Sequence, residues 1–293
     1  MIVIQIKRFH LKLALIILCG AFLLSVLFIN REGLLSVFLE SGDSVRLPVI
    51  MYHSIVYDKS LVNKYVLTAD QFEADLKYIR DKGYETVLMG DLIDYVHNNG
   101  NLPEKPILLT FDDGCYNHYS IVYPMLKKYN MKAVFSIIGT FTDKFTSIRE
   151  FNDSYSYMSW DQVNELAQSG IVEIQNHSYD MHSTGGKRSG VLPKKGESKE
   201  EYKLALSKDT FKLQELIWQY TGFETNTYTY PFGLYKKSSE ALMKEFGFLA
   251  TLSCEEGINR ISGDPGCLYL LKRYNRPYGP TSAEFFKRIL TSP

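Results

Sequence analysis

The stretch that decides the fold is Ile107–Ile138, ILLTFDDGCYNHYSIVYPMLKKYNMKAVFSII. It opens with a largely apolar run, Ile107–Phe111, which breaks at once into two carboxylates and a glycine. A helical pattern follows over Tyr119–Tyr129, and a second apolar run, Ala133–Ile138, completes the unit. A strand, a helix and a second strand in this order predict a parallel βαβ unit with a short loop after its first strand.

The same alternation of strand-like and helical runs extends from Leu47 to the end of the chain. Repeated βα units predict an α/β fold on a parallel sheet, open or closed into a barrel, with the chemistry at the carboxyl ends of the strands. The further predicted strands are Pro48–Tyr52, Val172–Gln175, Tyr228–Tyr230, Leu249–Leu252 and Leu268–Leu271. The further predicted helices are Ala69–Lys82, Met89–Asn98, Ser159–Ser169, Lys199–Tyr220, Ser238–Phe246 and Ser282–Leu290.

The composition is that of a globular protein without net charge. Of 293 residues 45% are hydrophobic, and 33 basic residues balance 33 acidic ones. No global basic field favours nucleic acid, which we therefore exclude as a partner. Cys254 and Cys267 lie thirteen residues apart, and they are either a disulfide of an oxidising compartment or two free thiols.

The first thirty residues carry a separate signal. Lys7, Arg8 and Lys12 precede an uncharged apolar run over Leu13–Ile29. These seventeen residues would rise about 26 Å as a helix, near the lower limit for a membrane span, with the N-terminus in the cytoplasm. No small-residue cleavage site follows, which favours a retained signal anchor over a cleaved signal peptide. We expect a single-pass cell-membrane protein with an anchor over residues 1–30, a stalk over 31–46 and an extracellular domain over 47–293.

Two adjacent carboxylates, Asp112 and Asp113, directly follow the strand Ile107–Phe111. Like charges this close raise each other's pKa, so the pair is costly at a strand end. An Asp-Asp-Gly triplet is usually just a turn. A divalent cation would change that, because one carboxylate could bind it while the other stayed free as a general base.

Two histidines, His177 and His182, follow the predicted strand Val172–Gln175. A single histidine is usually structural, but two after one strand and a carboxylate pair after another predict a metal site. It would have two imidazoles, one carboxylate and open positions for water. A third strand, Tyr228–Tyr230, runs into the turn Pro231–Gly233, which could form a wall of the same site.

These three places, in this order, resemble the NodB-type polysaccharide deacetylases of carbohydrate esterase family 4. The resemblance covers residues 47–293, and its most specific elements are Thr110–Gly114 and the histidine pair. The opening segment Leu47–His53 and the five-residue histidine spacing are similar to the branch that acts on poly-N-acetylglucosamine and cell-wall glycans. The resemblance implies a distorted (β/α)7 barrel, here preceded by the transmembrane helix.

The resemblance also implies roles for individual residues. Asp112 would be the general base, and Asp113, His177 and His182 would bind one divalent metal ion, with zinc expected. The turn formed by Pro231, Phe232 and Gly233 would contact the substrate and hold the oxyanion on the backbone N–H of its central residue. The implied activity is the removal of acetyl groups from an N-acetylated glycan outside the cell.

Two departures from the family pattern leave alternatives open. Thr229 stands where the family has an arginine that orients the base. Arg273 or Arg276 could replace it, although solvated surface charges are equally compatible with their position. The family's late histidine is absent, which leaves His53 as a candidate acid, substrate contact or structural residue. A catalytically silent glycan-binding domain and a deacylase of a non-sugar amide are therefore the alternatives.

Overall fold

The computed structural model of the protein describes residues 44–290. The predicted membrane anchor Leu13–Ile29 and most of the predicted stalk lie outside the described residues. Between residues 44 and 290, no helix is both long and apolar enough to cross a membrane. Val45 and Arg46, which precede the predicted domain start at Leu47, already pair with a later strand.

Twelve strands and eight α-helices build the described part of the chain. The strands are β1 (Val45–Leu47), β2 (Val49–Tyr52), β3 (Ser54–Val56), β4 (Val66–Thr68), β5 (Glu85–Val87), β6 (Pro106–Phe111), β7 (Ala133–Ile137), β8 (Val172–Asn176), β9 (Thr227–Thr229), β10 (Ala250–Leu252), β11 (Asn259–Ile261) and β12 (Tyr274–Asn275). The helices are α1 (Ala69–Asp81), α2 (Met89–Asn98), α3 (Tyr123–Tyr129), α4 (Gly139–Ile148), α5 (Trp160–Gln168), α6 (Lys199–Thr221), α7 (Lys237–Glu245) and α8 (Ser282–Leu290). Shorter helical turns are Lys59–Leu61, His118–Val122, Pro231–Gly233 and Pro265–Leu268.

The main sheet is parallel and curled, in the order β10-β9-β8-β7-β6-β2-β12, and β5 pairs with the first half of β6. One short segment reaches both of its edges. Leu271 bridges to Leu252 of β10, and Tyr274 pairs with Ile50 of β2. This sheet with its helices confirms the predicted α/β class and is consistent with the seven-stranded barrel that the resemblance implies.

The inner face of the sheet changes from apolar to polar along the strands. Because side chains alternate between the two faces, Leu108 and Thr110 of β6 point inward and Asp112 continues the same row. Leu108 belongs to a buried apolar cluster, whereas Phe111, on the other face, packs in the main core. The hydroxyl of Thr110 donates to the carbonyl of Ile50 at 2.9 Å. The curled sheet therefore has an apolar floor and a polar rim at the carboxyl ends of its strands.

The structure corrects one predicted strand and adds one helix. Leu268–Leu271 is not a strand, because Pro265–Leu268 forms a 3₁₀ turn and Leu270 takes a left-handed conformation at φ 58°. Strand pairing with β2 comes later, at Tyr274–Asn275. Helix α4, Gly139–Ile148, escaped the sequence pattern because it is rich in threonine and buries few apolar side chains.

Candidate active site

Three loops meet at the carboxyl ends of β6, β8 and β9, and each contains a non-glycine residue with left-handed backbone. The φ angles are 77° at Asp113, 74° at Ser178 and 58° at Phe232. Such conformations cost about 1–2 kcal/mol each and cluster at functional sites. A side chain in place of Gly114, at φ 77°, would be strained, since its Cβ would lie 3.0 Å from Cγ2 of Ile137. Three of the seven non-glycine residues with positive φ between residues 44 and 290 thus lie at the polar rim.

Asp112 is held by a two-pronged ion pair with Arg273. Nη1 of Arg273 lies 2.7 Å from Oδ1, and Nη2 lies 2.8 Å from Oδ2. Nε of Arg273 donates to the carbonyl of Ser253 at 2.7 Å, which fixes the plane of the guanidinium. Burial favours a higher pKa for Asp112, but the charges of Arg273 and then of His177 outweigh it, so the pKa lies below its ordinary value. The carboxylate therefore stays ionised at neutral pH.

Both candidate arginines are buried, at 0% exposure for Arg273 and 2% for Arg276. The interpretation of these residues as surface charges is therefore wrong. Only Arg273 contacts Asp112, whereas Arg276 pairs with Asp75 at 2.8 and 3.0 Å. Thr229 instead shares a hydrogen bond of 2.7 Å with the hydroxyl of Ser136 inside the sheet. The missing arginine of the third loop is thus supplied from the segment that joins the two edges of the sheet.

Asp113 lies against both predicted histidine ligands. Its Oδ1 is 3.5 Å from Nε2 of His177 and 3.3 Å from Nε2 of His182. That oxygen is buried and has no hydrogen-bond partner. Two ligands that each lie about 2.1 Å from a tetrahedral zinc ion are about 3.4 Å apart. The three atoms therefore have the chemistry and the spacing to hold a divalent cation.

The protonation of the two histidines also suits a cation. Nδ1 of His177 lies 2.8 Å from the carbonyl of Thr229, so the proton resides on Nδ1 and Nε2 offers a lone pair. Burial, and then the neighbouring His177, lowers the pKa of His182 to about 4. Burial favours a lower pKa for His177, but its contact with Asp113 and the charge of Asp112 outweigh it, so the pKa of His177 is raised. A cation would therefore replace a proton on Nε2 of His177, whereas His182 is already neutral.

A buried carboxylate that the sequence analysis missed supports the histidine loop. Asp209 of α6 accepts the backbone N–H of Tyr179 at 2.9 Å and that of Asp180 at 2.7 Å. Both N–H groups lie between His177 and His182. Burial raises the pKa of Asp209 to about 6. A charged residue within the buried stripe of an amphipathic helix was the available signal, and it indicates a group retained for a specific partner.

A cleft of about 740 Å³ opens above these groups, and His53, Asp112, Asp113 and Phe232 line it. Nδ1 of His53 is buried without a hydrogen-bond partner, and burial lowers the pKa of this histidine. The ring of Phe232 is 44% exposed and lies 4.3 Å from the ring of His182. The Pro-Phe-Gly turn is therefore a wall of the same cleft.

The cysteines of the described chain are free thiols. The disulfide alternative for Cys254 and Cys267 is therefore wrong, and the free-thiol alternative is confirmed. Cys254 lines the cleft, with its sulfur 3.7 Å from Nη2 of Arg273.

Comparisons with known proteins identify the family of the chain. Residues 99–251, just over half of the chain, match the family model for polysaccharide deacetylase. The protein YxkH of Bacillus subtilis (strain 168) is 28% identical over 256 residues, which cover 87% of this chain and 80% of YxkH. The poly-beta-1,6-N-acetyl-D-glucosamine N-deacetylase of Escherichia coli (strain K12) is 25% identical over 234 residues. That match covers 73% of this chain but only 34% of the relative, so the chain spans about a third of its length.

A solved structure shares the fold over most of its length. The de-N-acetylase from Aggregatibacter actinomycetemcomitans superposes with a TM-score of 0.71 at 27% identity. The alignment covers 83% of this chain and 99% of that one. The resemblance found in the sequence is thereby confirmed: the chain belongs to the polysaccharide deacetylase family, whose members hydrolyse carbon–nitrogen bonds other than peptide bonds.

Proposed function

We propose that the protein is a metal-dependent N-deacetylase of a polysaccharide of the poly-N-acetylglucosamine type, from which it releases acetate. The observation that carries the proposal is the separation of two adjacent carboxylates. Asp113 lies with His177 and His182, while Asp112 turns to Arg273 and stays ionised. One turn thus offers both a metal ligand and a general base.

The fold and the substrate class rest on further support. Residues 271–275 link the two ends of the strand row β10-β9-β8-β7-β6-β2, since Leu271 bridges to β10 and β12 pairs with β2. This link supports a distorted (β/α)7 barrel. The cleft volume suits a sugar with its acetamido group, since small-molecule sites occupy about 300–1,000 Å³. Tyr65 and Phe232 place aromatic rings on its lining, where they can pack against a pyranose. Relatives whose names include poly-beta-1,6-N-acetyl-D-glucosamine support the choice of glycan.

Asp112 would act as the general base. A divalent cation bound by Asp113, His177 and His182 would polarise the acetyl carbonyl and lower the pKa of a water molecule. Asp112 takes the proton as the water attacks, because its carboxylate is ionised and faces the cleft. Arg273 fixes the orientation of that carboxylate and keeps it ionised.

The remaining groups would handle the oxyanion and the amine. The left-handed backbone of Phe232 bends the third loop at the cleft, where its N–H would stabilise the oxyanion. The departing nitrogen needs a proton, and His53 lies on the same cleft wall. Because His53 is neutral when the substrate binds, it can contact the sugar or pass on a proton that it has first received. That proton is the one that Asp112 removed from the water, so it passes from the water through Asp112 and His53 to the amine nitrogen.

Arg273 argues against the catalytically silent alternative, because the orienting arginine is present although it comes from another segment. The test is acetate release from N-acetylglucosamine oligomers, peptidoglycan fragments and an aryl acetamide. Metal analysis, chelation and zinc re-addition are carried out on the same sample. Release from a glycan that stops with chelator and returns with zinc is expected. Glycan binding without acetate release, or cleavage of the aryl acetamide alone, would contradict the proposal.

We further propose an extracellular catalytic domain tethered by Leu13–Ile29. The support is the uncharged apolar run behind a basic flank, and a tethered external domain would suit the glycan substrate proposed above. N-terminal sequencing of protein extracted from membranes checks this proposal. A chain that starts at Met1 is expected, and a mature start beyond residue 29 would show cleavage instead.

A further inference from the structure

Helix α6 carries apolar side chains on two opposite faces. Leu206, Leu213 and Ile217 are buried against the domain. Leu204, Phe211 and Trp218 point the other way and are 55%, 45% and 58% exposed. A helix on the surface of a monomer normally has a polar outer face. The outer apolar stripe of α6 therefore needs an explanation.

The spacing of the stripe is regular. Its three residues, Leu204, Phe211 and Trp218, are seven apart, so they lie almost in line along the helix, about 10.5 Å from one to the next. A seven-residue repeat of apolar side chains is the pattern by which two helices pack side by side. Phe211 is the midpoint. A two-fold axis beside Phe211 would place Leu204 of one copy opposite Trp218 of the other.

The charges beside the stripe select the direction of pairing. Lys208 and Glu215 lie on the same flank of α6, three residues before and four residues after Phe211. Neither side chain forms an ion pair within residues 44–290, and both are exposed. Antiparallel pairing puts these flanks on the same side of the contact and brings Lys208 of each copy to the height of Glu215 of the other. Parallel pairing puts the two flanks on opposite sides and forms no such pair. We infer that two copies of this chain associate through antiparallel α6 helices, with Leu204, Phe211 and Trp218 at the interface.

The available area is compatible with a dimer of modest affinity. An aromatic side chain presents roughly 150–250 Å². At their exposures, Phe211, Trp218 and the nearby Phe223 offer roughly 230–390 Å² per copy, and Leu204 adds a smaller share. Pairing would bury roughly 600–900 Å² of these side chains in total, which is the size of a weak or transient interface. A groove of about 420 Å³ beside Trp218, bordered by Phe246, can receive Leu204 of the second copy.

Disulfide cross-linking of the full-length chain in membranes tests the geometry. Phe211→Cys should give a covalent dimer by itself, because the two copies of this residue meet at the axis. Leu204→Cys and Trp218→Cys should give little alone and a dimer when co-expressed, since each residue is about 21 Å from its own symmetry mate. Wild-type protein controls for the native thiols. Equal cross-linking by all three single variants, or by none, would overturn the inference.

Exchange of the two charges tests whether the α6 helices of the two copies pair in the antiparallel direction. Lys208→Glu, and separately Glu215→Lys, should weaken association in detergent solution roughly tenfold, and the combined exchange should restore it. Sedimentation velocity measures the association, and acetate release and thermal unfolding should stay unchanged. A wild-type chain that remains monomeric at every concentration overturns the proposal. So does a Trp218→Ala variant that loses binding to glycan or lipid vesicles without any change in mass.

Discussion

One short segment contributes the arginines of two buried arginine–aspartate ion pairs, Arg273–Asp112 and Arg276–Asp75. Arg273 and Arg276 are three residues apart, and each grips a carboxylate with two donors at 2.7 to 3.0 Å. Asp112 opens onto the cleft beside the histidines. Asp75 faces the hydroxyl of Tyr52 at 3.1 Å and lies within the core. The same kind of ion pair thus occurs once at the cleft and once inside the core.

The comparison shows that burial and ion pairing do not identify a catalytic carboxylate. Both pairs are desolvated, and each would be costly to break. The difference lies in what else the carboxylate can reach. Asp112 has the metal-site residues and open volume in front of it, whereas the guanidinium of Arg276 lies 4.8 Å from the ring of Phe285 and closes off its partner. Access for a water molecule and a substrate therefore separates the two regions.

The largest expected effect comes from Asp112→Asn. The change keeps the shape but removes the proton acceptor, so turnover should fall about 10²–10⁴-fold while the metal content is retained. Acetate release and metal analysis of the same sample measure both quantities. Asp75→Asn is the matched control and should keep turnover per folded molecule. Near-normal activity of metal-loaded Asp112→Asn would show that the base lies elsewhere.

The second effect is on stability. Arg276→Met leaves Asp75 buried without its partner, so the free energy of unfolding should drop by about 3–5 kcal/mol. Denaturant unfolding measures it, and turnover of the remaining folded fraction should be unchanged. If turnover per folded molecule fell as steeply as stability, the two pairs would not be separable in function.

A third buried carboxylate sharpens the comparison, because Asp209 has backbone N–H groups as partners and no arginine. Asp209→Asn should lose one of its two acceptor bonds to the loop between His177 and His182. We expect zinc affinity to weaken roughly tenfold, as is usual for residues that support ligands. Calorimetric titration with zinc measures this, and Asp209→Glu should recover part of the loss. An unchanged affinity would make Asp209 a purely structural group.

The smallest expected effect is on pH dependence. Arg273 holds the pKa of Asp112 below its ordinary value, so Asp112 loses its base function only as the pH falls through that low pKa. In Arg273→Met the pKa rises, and the acidic limb of kcat/KM should move up by about one pH unit or more. Arg276→Met should leave the limb in place. If the acidic limb of kcat/KM has the same pH midpoint in both variants as in the wild type, Asp112 is not the group that titrates.

The sequence was informative where function lies in a contiguous motif. Asp112 and Asp113 follow one strand and His177 and His182 another, so the geometry of parallel strands was enough to predict that they meet. The choice between Arg273 and Arg276 could not be made from sequence. Arg273 is 161 residues away from Asp112 in the sequence. Only the path of the chain around the sheet determines which of the two arginines lies next to Asp112.

Short elements were the other weakness of the sequence analysis. The three-residue strands β3, β4 and β5 are too short to show a period, and their pairing comes from tertiary contacts. Leu268–Leu271 has the composition of a strand, but Pro265 and Gly266 turn the chain first. In each case tertiary contacts, and not the local sequence propensity, determined the secondary structure.

The segment that spans both sheet edges also sets an order of events during biosynthesis. Leu271–Asn275 is made after β2 and β6 to β11, and Arg273 within it holds a carboxylate that was made 161 residues earlier. A chain that has emerged only as far as Leu252 already contains Asp113, His177 and His182, but its Asp112 lacks a partner. Contacts so distant in sequence form late and slowly. A chain released before residue 273 would therefore contain the three candidate metal ligands but not the arginine that pairs with Asp112.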